Sequence, residues 1–185
     1  MRHNQETFNM ATSVCKINTP SGSEIEKTTN GAYYYDTYKA SVAINEKSAL
    51  DIYLDMVKST PKWVNFLMAL RNKAVSMVGL KNLGHLGEIE QSKLGENYKV
   101  GDRVGIFSVL FISDNEVILG ESDKHLDVKL SIYKMGGNKQ NAIAISTVVH
   151  VHNLLGQLYM LFVTPLHKVI APAMLKKIEF KANEI

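Results

Sequence analysis

The sequence predicts an α+β domain in which a curved antiparallel sheet is closed by one long C-terminal helix. Three observations carry this. A strand with period-2 order precedes two stretches with helical periodicity, four apolar runs joined by short turns follow, and the chain finishes in a segment that is apolar on most of its circumference.

Each element has its own signal. Thr19-Pro20-Ser21-Gly22-Ser23 is a turn cluster, after which Ser23 is placed to cap one helical turn. From Ala32 to Ile44, β-favouring residues alternate, with Tyr34, Asp36, Tyr38, Ala40, Val42 and Ile44 on one face. Thr37, Lys39 and Ser41 form the other face, which reads as wet. Asp36 therefore falls in phase with the apolar side.

Asn45 or Ser48 is placed to cap a helix carrying Ala49, Ile52, Tyr53, Met56 and Val57. Thr60 and Pro61 start a second helix, in which Trp63, Phe66, Leu67, Leu70, Ala74, Met77 and Val78 form a stripe that Gly79 ends. Arg71 sits at the edge of that stripe. The strands then read Val104–Ile112, Glu116–Glu121, His125–Tyr133 and Ala142–His152, with turns at Ser113-Asp114-Asn115, Ser122-Asp123-Lys124 and Gly136-Gly137-Asn138. Connections this short demand antiparallel pairing. The last helix, from about Asn153 to Lys177, contains Pro165 and Pro172, which are expected to bend or break it, and its apolar girth is expected to be covered nearly all round. A sheet with one dry face and a helix in search of a groove pack most simply as a helix-grip fold, with space for a cavity between them.

Composition bounds the function classes. The 185 residues fit one domain, with residues 1–15 as a loose polar lead-in and 16–185 as the folded unit. Cys15 is the only cysteine, so no internal disulfide forms and a reducing, cytoplasmic setting is expected. Net charge is +3, but only Arg2, Arg71 and Arg103 are arginines, which argues against nucleic-acid partners. The Leu154–Leu175 stretch is broken by Pro165, His167, Lys168 and Pro172, and is read as a buried rather than a membrane-spanning helix.

Several runs are also familiar. Gly31-Ala32-Tyr33-Tyr34-Tyr35-Asp36-Thr37-Tyr38, Leu70-Arg71-Asn72 with Gly79-Leu80-Lys81, Gly120-Glu121-Ser122-Asp123-Lys124-His125-Leu126-Asp127, and Leu158-Tyr159 with Pro165-Leu166-His167-Lys168-Val169-Ile170 resemble an uncharacterised bacterial family. That family is a domain of unknown function related to the START-like and birch-pollen-allergen-like superfamily. The similarity covers about Lys16 to Lys177. It implies the helix-grip fold but no established activity. Some members are fused to an NAD(P)-binding, epimerase-like domain, which implies a separate NAD(P)-dependent protein as a partner for this chain. Across the wider superfamily, members bind lipids, polyketides or other apolar molecules, and a minority catalyse.

The candidate ligand-binding residues are Asp36, Tyr38, Arg71, His125 and His167. Asp36 and Arg71 lie on or beside apolar faces, and a buried charge must be paired, so the two are expected to interact directly or through His125 or His167. A structural ion pair is the plainer version. In the sharper one Arg71 anchors a ligand carboxylate or phosphate. Asp123, His125 and Asp127, spaced by two, are weak candidates for a metal, against the plainer reading of a charged hairpin tip. His150 and His152 share the outer face of their strand. No Gly-rich phosphate loop, Walker pattern or Ser-His-Asp order is present, and no cofactor is implied by the residues. Met56, Met68, Met77, Met160 and Met174 suit an ordinary core or an adaptable pocket.

The leading expectation is a non-catalytic protein holding an apolar or amphipathic small molecule between sheet and terminal helix. The alternatives are a small enzyme acting on a ring or sugar-like substrate with Asp36, His125 and Arg71, and an interaction module with a filled core. A homodimer stays open. A cavity with converging polar groups would separate the first two from the third.

Overall fold

The computed structural model describes residues 14–41, 47–77, 95–136 and 142–182, with side chains for the same residues except 74–77 and 179–182. Seven antiparallel strands form one curved sheet in the order β1-β2-β7-β6-β5-β4-β3. They are β1 (Cys15–Ile17), β2 (Tyr34–Ser41), β3 (Arg103–Val104), β4 (Phe107–Ile112), β5 (Glu116–Ser122), β6 (Leu126–Met135) and β7 (Ala142–Val151). Helices α1 (Ala49–Lys58) and α2 (Lys62–Met77) lie between β2 and β3 in the chain, and α3 (Leu154–Ala182) ends it. The α+β class and the meander are as the sequence predicts. The expected extension of the first strand to Ile44, the Gly79 stop and the turn at Gly137-Asn138 lie outside the described residues.

Register fixes what each face holds. Tyr34, Val149, Val128 and Glu121 make one cross-strand row, and Tyr38, Ile145, Ile132 and Val117 make another. The inner face packs on α1, whose Leu50, Ile52, Tyr53, Met56 and Val57 are buried with Val109, Leu119 and Ile143 of the sheet and Leu175 of α3. α1 starts in a capping box, with Ser48 Oγ accepting from Asp51 N and the Asp51 carboxylate accepting from Ser48 N. Ser48, rather than Asn45, is therefore the cap.

Five expectations are corrected. Val104–Ile112 is two strands, because the chain turns at Gly105 (φ 61°). Thr60 does not cap α2: its hydroxyl donates to the Val57 carbonyl at 2.6 Å and closes α1 instead. Cys15–Ile17, partly assigned to a loose lead-in, pairs with Thr37–Lys39 as β1.

The outer face of the sheet is not uniformly wet. Residues 18–33, with a 3-10 turn at Ile25–Thr28, fold across it, and Ile25 packs with Ile118 and Val148. Thr37, Ser131 and Ser146 are buried beneath that cover. Glu116 fastens it, since the buried carboxylate accepts from Glu24 N at 2.6 Å, Ile25 N at 3.1 Å and Ser131 Oγ at 2.7 Å. His150 lies on this face too, with Nε2 2.9 Å from the Thr28 carbonyl, whereas the exposed His152 pairs with Asp127 at 3.2 Å.

The fifth correction concerns the helices. α3 runs unbroken through Pro165 and Pro172. It is long and apolar enough, over Leu154–Ile178, to cross a membrane, and only 17% of its most apolar window is buried in the fold. Met160, Met174, Leu175 and Ile178 face inward, while Leu154, Leu158, Leu161, Phe162 and Val169 face out. On α2, Val64 is buried but Trp63, Phe66 and Leu70 are exposed. The expectation of a terminal helix covered all round fails here.

Candidate functional site

A cavity of about 260 Å³ lies between the inner sheet face and the three helices, close to the lower end of the volumes common for small-molecule sites. The sheet contributes Tyr34, Val128, Leu130, Ile145, Thr147 and Val149, in the rows nearest the β5–β6 turn. α2 contributes Val64, Leu67, Met68 and Arg71, and α3 contributes Tyr159, Met160, Val163, Leu166, His167 and Ile170. Met56, Met68, Met160 and Met174 all line it, and Met56 and Met174 belong to the core cluster as well. Unbranched thioethers let such a wall adapt to the shape of an apolar guest.

Glu121 and Asp123 line the cavity by the β5–β6 turn, and polar groups meet its wall at two further places. At the first, β2 presents Tyr34 and Asp36, and α3 presents His167. Asp36 is 3% exposed, accepting from the Tyr34 hydroxyl at 2.5 Å through Oδ2 and from His167 Nε2 at 3.1 Å through Oδ1. The Tyr34 and His167 rings meet edge-on with centroids 5.9 Å apart. Burial pushes the Asp36 carboxyl upward. The hydrogen bond and charge of His167, with the bond from Tyr34, outweigh it and hold the group below its ordinary range. Burial and Asp36 push the Tyr34 hydroxyl strongly upward, and the same two causes raise Tyr38. Because His167 donates through Nε2, its Nδ1 is an acceptor whenever the ring is neutral.

At the second place, Arg71 Nε donates to the Tyr159 hydroxyl at 3.0 Å, and its guanidinium carbon lies 5.4 Å from that ring's centroid. Arg71 also donates to Asn72 Oδ1 at 2.8 Å. Asp36 and Arg71 make no ion pair with each other among the described residues. Asp36 is satisfied through His167, one of the two bridges the sequence offers, and Arg71 turns to Tyr159. The aromatic partners Tyr34 and Tyr159 were not singled out in the sequence. Their signal was there: Tyr34 is two residues from Asp36 on the same strand face, and Tyr159 sits in an apolar helix where a buried hydroxyl needs a partner.

The Asp123, His125 and Asp127 constellation does not converge. Asp123 Oδ1 accepts from the backbone of His125 and Leu126, while Asp127 bonds Ser122 and His152. Among the described residues no group of three or more metal-ligating side chains is found. His125 is buried, but it does not line the cavity. Its Nδ1 lies 3.1 Å from Asn153 Oδ1, the atom that also accepts from Gly156 N at 3.2 Å and so caps α3. His125 ties the hairpin to the start of the terminal helix, and Tyr38 packs in the core cluster rather than on the cavity wall.

No curated protein and no solved structure matches the chain. Residues 28–174, from the end of the 3-10 turn through the cavity-lining part of α3, match the sequence pattern of a family described as "Protein of unknown function (DUF2867)". The chain belongs to that family.

Proposed function

We propose that this protein holds an amphipathic small molecule, with its apolar body in the methionine-lined cavity and an anionic or hydrogen-bonding end at Arg71. The observation that carries this is the cavity itself, since apolar walls with polar groups confined to a few places are what orient a ligand as well as bury it. The Arg71 fork is held by Tyr159 and Asn72, and a guanidinium so oriented is preorganised for a carboxylate or phosphate. The arrangement of sheet and terminal helix also fits the helix-grip, START-like architecture that the sequence resembles, whose members hold apolar ligands. A filled interaction module is disfavoured by the cavity.

Gentle purification followed by solvent extraction and mass spectrometry tests this directly. A stoichiometric apolar or amphipathic compound is expected from the wild type and not from Leu67→Trp, which fills the space. Recovery of nothing from either, with no displacement of an apolar fluorescent probe, overturns the proposal.

One observation favours a second, enzymatic reading. The Asp36–His167 pair sets a carboxylate behind an imidazole that borders the cavity, an arrangement suited to proton abstraction by Nδ1. On this reading His167 replaces His125 as the acid–base residue. His167→Asn would then leave the compound bound but unaltered, where the wild type converts it.

A further inference from the structure

Beyond holding a ligand, we propose that the outward faces of α2 and α3 form a docking surface for an anionic lipid membrane. Trp63, Phe66 and Leu70 are spaced three and four apart on α2, and Leu161 and Phe162 lie three and four positions after Leu158 on α3, so each set makes one stripe. All six are exposed, Phe66 and Leu161 at 68% and Phe162 at 65%. Single exposed apolar residues are ordinary, but two adjoining stripes of this size are not. The helices are joined by the Arg71–Tyr159 bond, and Leu70 and Leu158 each directly precede one of its partners. Both helices are also walls of the cavity.

Charge selects the occupant. α2 carries Lys62, Arg71 and Lys73 and no carboxylate, and α3 carries Lys168, Lys176 and Lys177 with no carboxylate before Glu179. The whole chain has an excess of only +3, so the rest of the molecule is on balance acidic and the net positive charge sits on these two helices. Self-pairing through this face would set like charges against one another. An anionic bilayer surface instead offers apolar depth to the stripes and negative headgroups to the lysines. α3 lies on such a surface rather than crossing it, because His167 is bonded to Asp36, and Leu175 and Ile178 are part of the core. A spanning helix would have to leave both.

Flotation of the full chain with phosphatidylcholine vesicles, with and without phosphatidylglycerol, tests this. Binding is expected only to the vesicles that contain phosphatidylglycerol, and to fall with added salt. Phe66→Glu with Phe162→Glu should reduce the bound fraction on the order of tenfold. Lys176→Glu with Lys177→Glu, a milder surface change, should weaken binding with the circular dichroism unchanged. Leu67→Trp, which fills the cavity, should bind vesicles as the wild type does, so failure of the ligand proposal is distinguishable from failure of this one. Equal binding to neutral vesicles overturns the proposal, as does protein that resists alkaline carbonate extraction. No vesicle binding also overturns it, whether the wild type is monomeric or forms a dimer that Phe66→Glu dissociates.

Discussion

Asp36 keeps a negative charge on an otherwise apolar strand face because two donors, Tyr34 and His167, reach it from different elements. Its carboxyl is held below the ordinary range, so the native state favours the ionised form. The stabilisation is therefore fully present above the unfolded carboxylate pKa of about 4 and is lost as pH falls through the lower native value. Asp36→Asn should cost about 1–3 kcal/mol at neutral pH, and the gap from wild type should narrow in thermal melts as pH falls below about 4. A gap that is constant with pH would show that the charge is not what matters. Tyr53 is the opposite case. Its hydroxyl is buried without a partner among the described residues, and burial raises its pKa. Tyr53→Phe should leave stability unchanged or raise it by about 1 kcal/mol by calorimetry. If it instead abolishes retention of a co-purifying compound, the hydroxyl is a ligand contact. Asp36 was legible in the sequence as a carboxylate in phase with apolar neighbours. Its partner was legible only as a choice between two histidines and an arginine, because a partner 131 positions away is fixed by how α3 lies on β2, which periodicity does not encode.

Elements were legible in proportion to their length. The capped helix α1, the alternating strand β6 and the long α3 follow from pattern alone, whereas three-residue β1 carries no period to detect. The cover over the outer sheet face was hidden for another reason. Thr37, Ser131 and Ser146 have the polarity of a wet face, and nothing local tells that residues 18–33 fold back over them. Glu116→Ala should release that cover at a cost of roughly 2–4 kcal/mol, since two backbone donors lose a charged acceptor. Hydrogen exchange at Glu24 and Ile25 should then rise while the β6–β7 ladder stays protected. At the start of α3, the helix preference of alanine runs against space. A Cβ on Gly156 would run into the His125 carbonyl oxygen and lie 2.9 Å from Val151 Cγ1. Gly156→Ala should therefore lower the melting temperature despite the better helix propensity of alanine, which would otherwise favour it by roughly 1 kcal/mol.

At the scale of the molecule, one sheet face and three helices enclose the cavity, and two of those helices, α2 and α3, present apolar residues outward. Fold class followed from element order, and the methionines marked the helices that line the cavity. The exposed face of α3 was misread as buried, because an apolar helix has the same sequence whether protein or another phase covers it. Loading and docking share α2 and α3, so the two activities are expected to be coupled. Vesicles should accelerate exchange of a bound fluorescent ligand, and Phe66→Glu with Phe162→Glu should remove the acceleration without changing the spontaneous rate.

The sheet order has a consequence for synthesis. The central neighbour of β2 is β7, so Asp36 and Thr147 stand opposite each other although the ribosome makes them 111 positions apart. A nascent chain holding β2, α1 and α2 has an unpaired strand edge and two oily helices until β7 emerges, and contacts that distant in sequence form slowly. Half-made molecules are thus the aggregation-prone species, and a translational stall before residue 142 should be far more damaging than one after residue 151, where the ladder is complete and only α3 has still to dock.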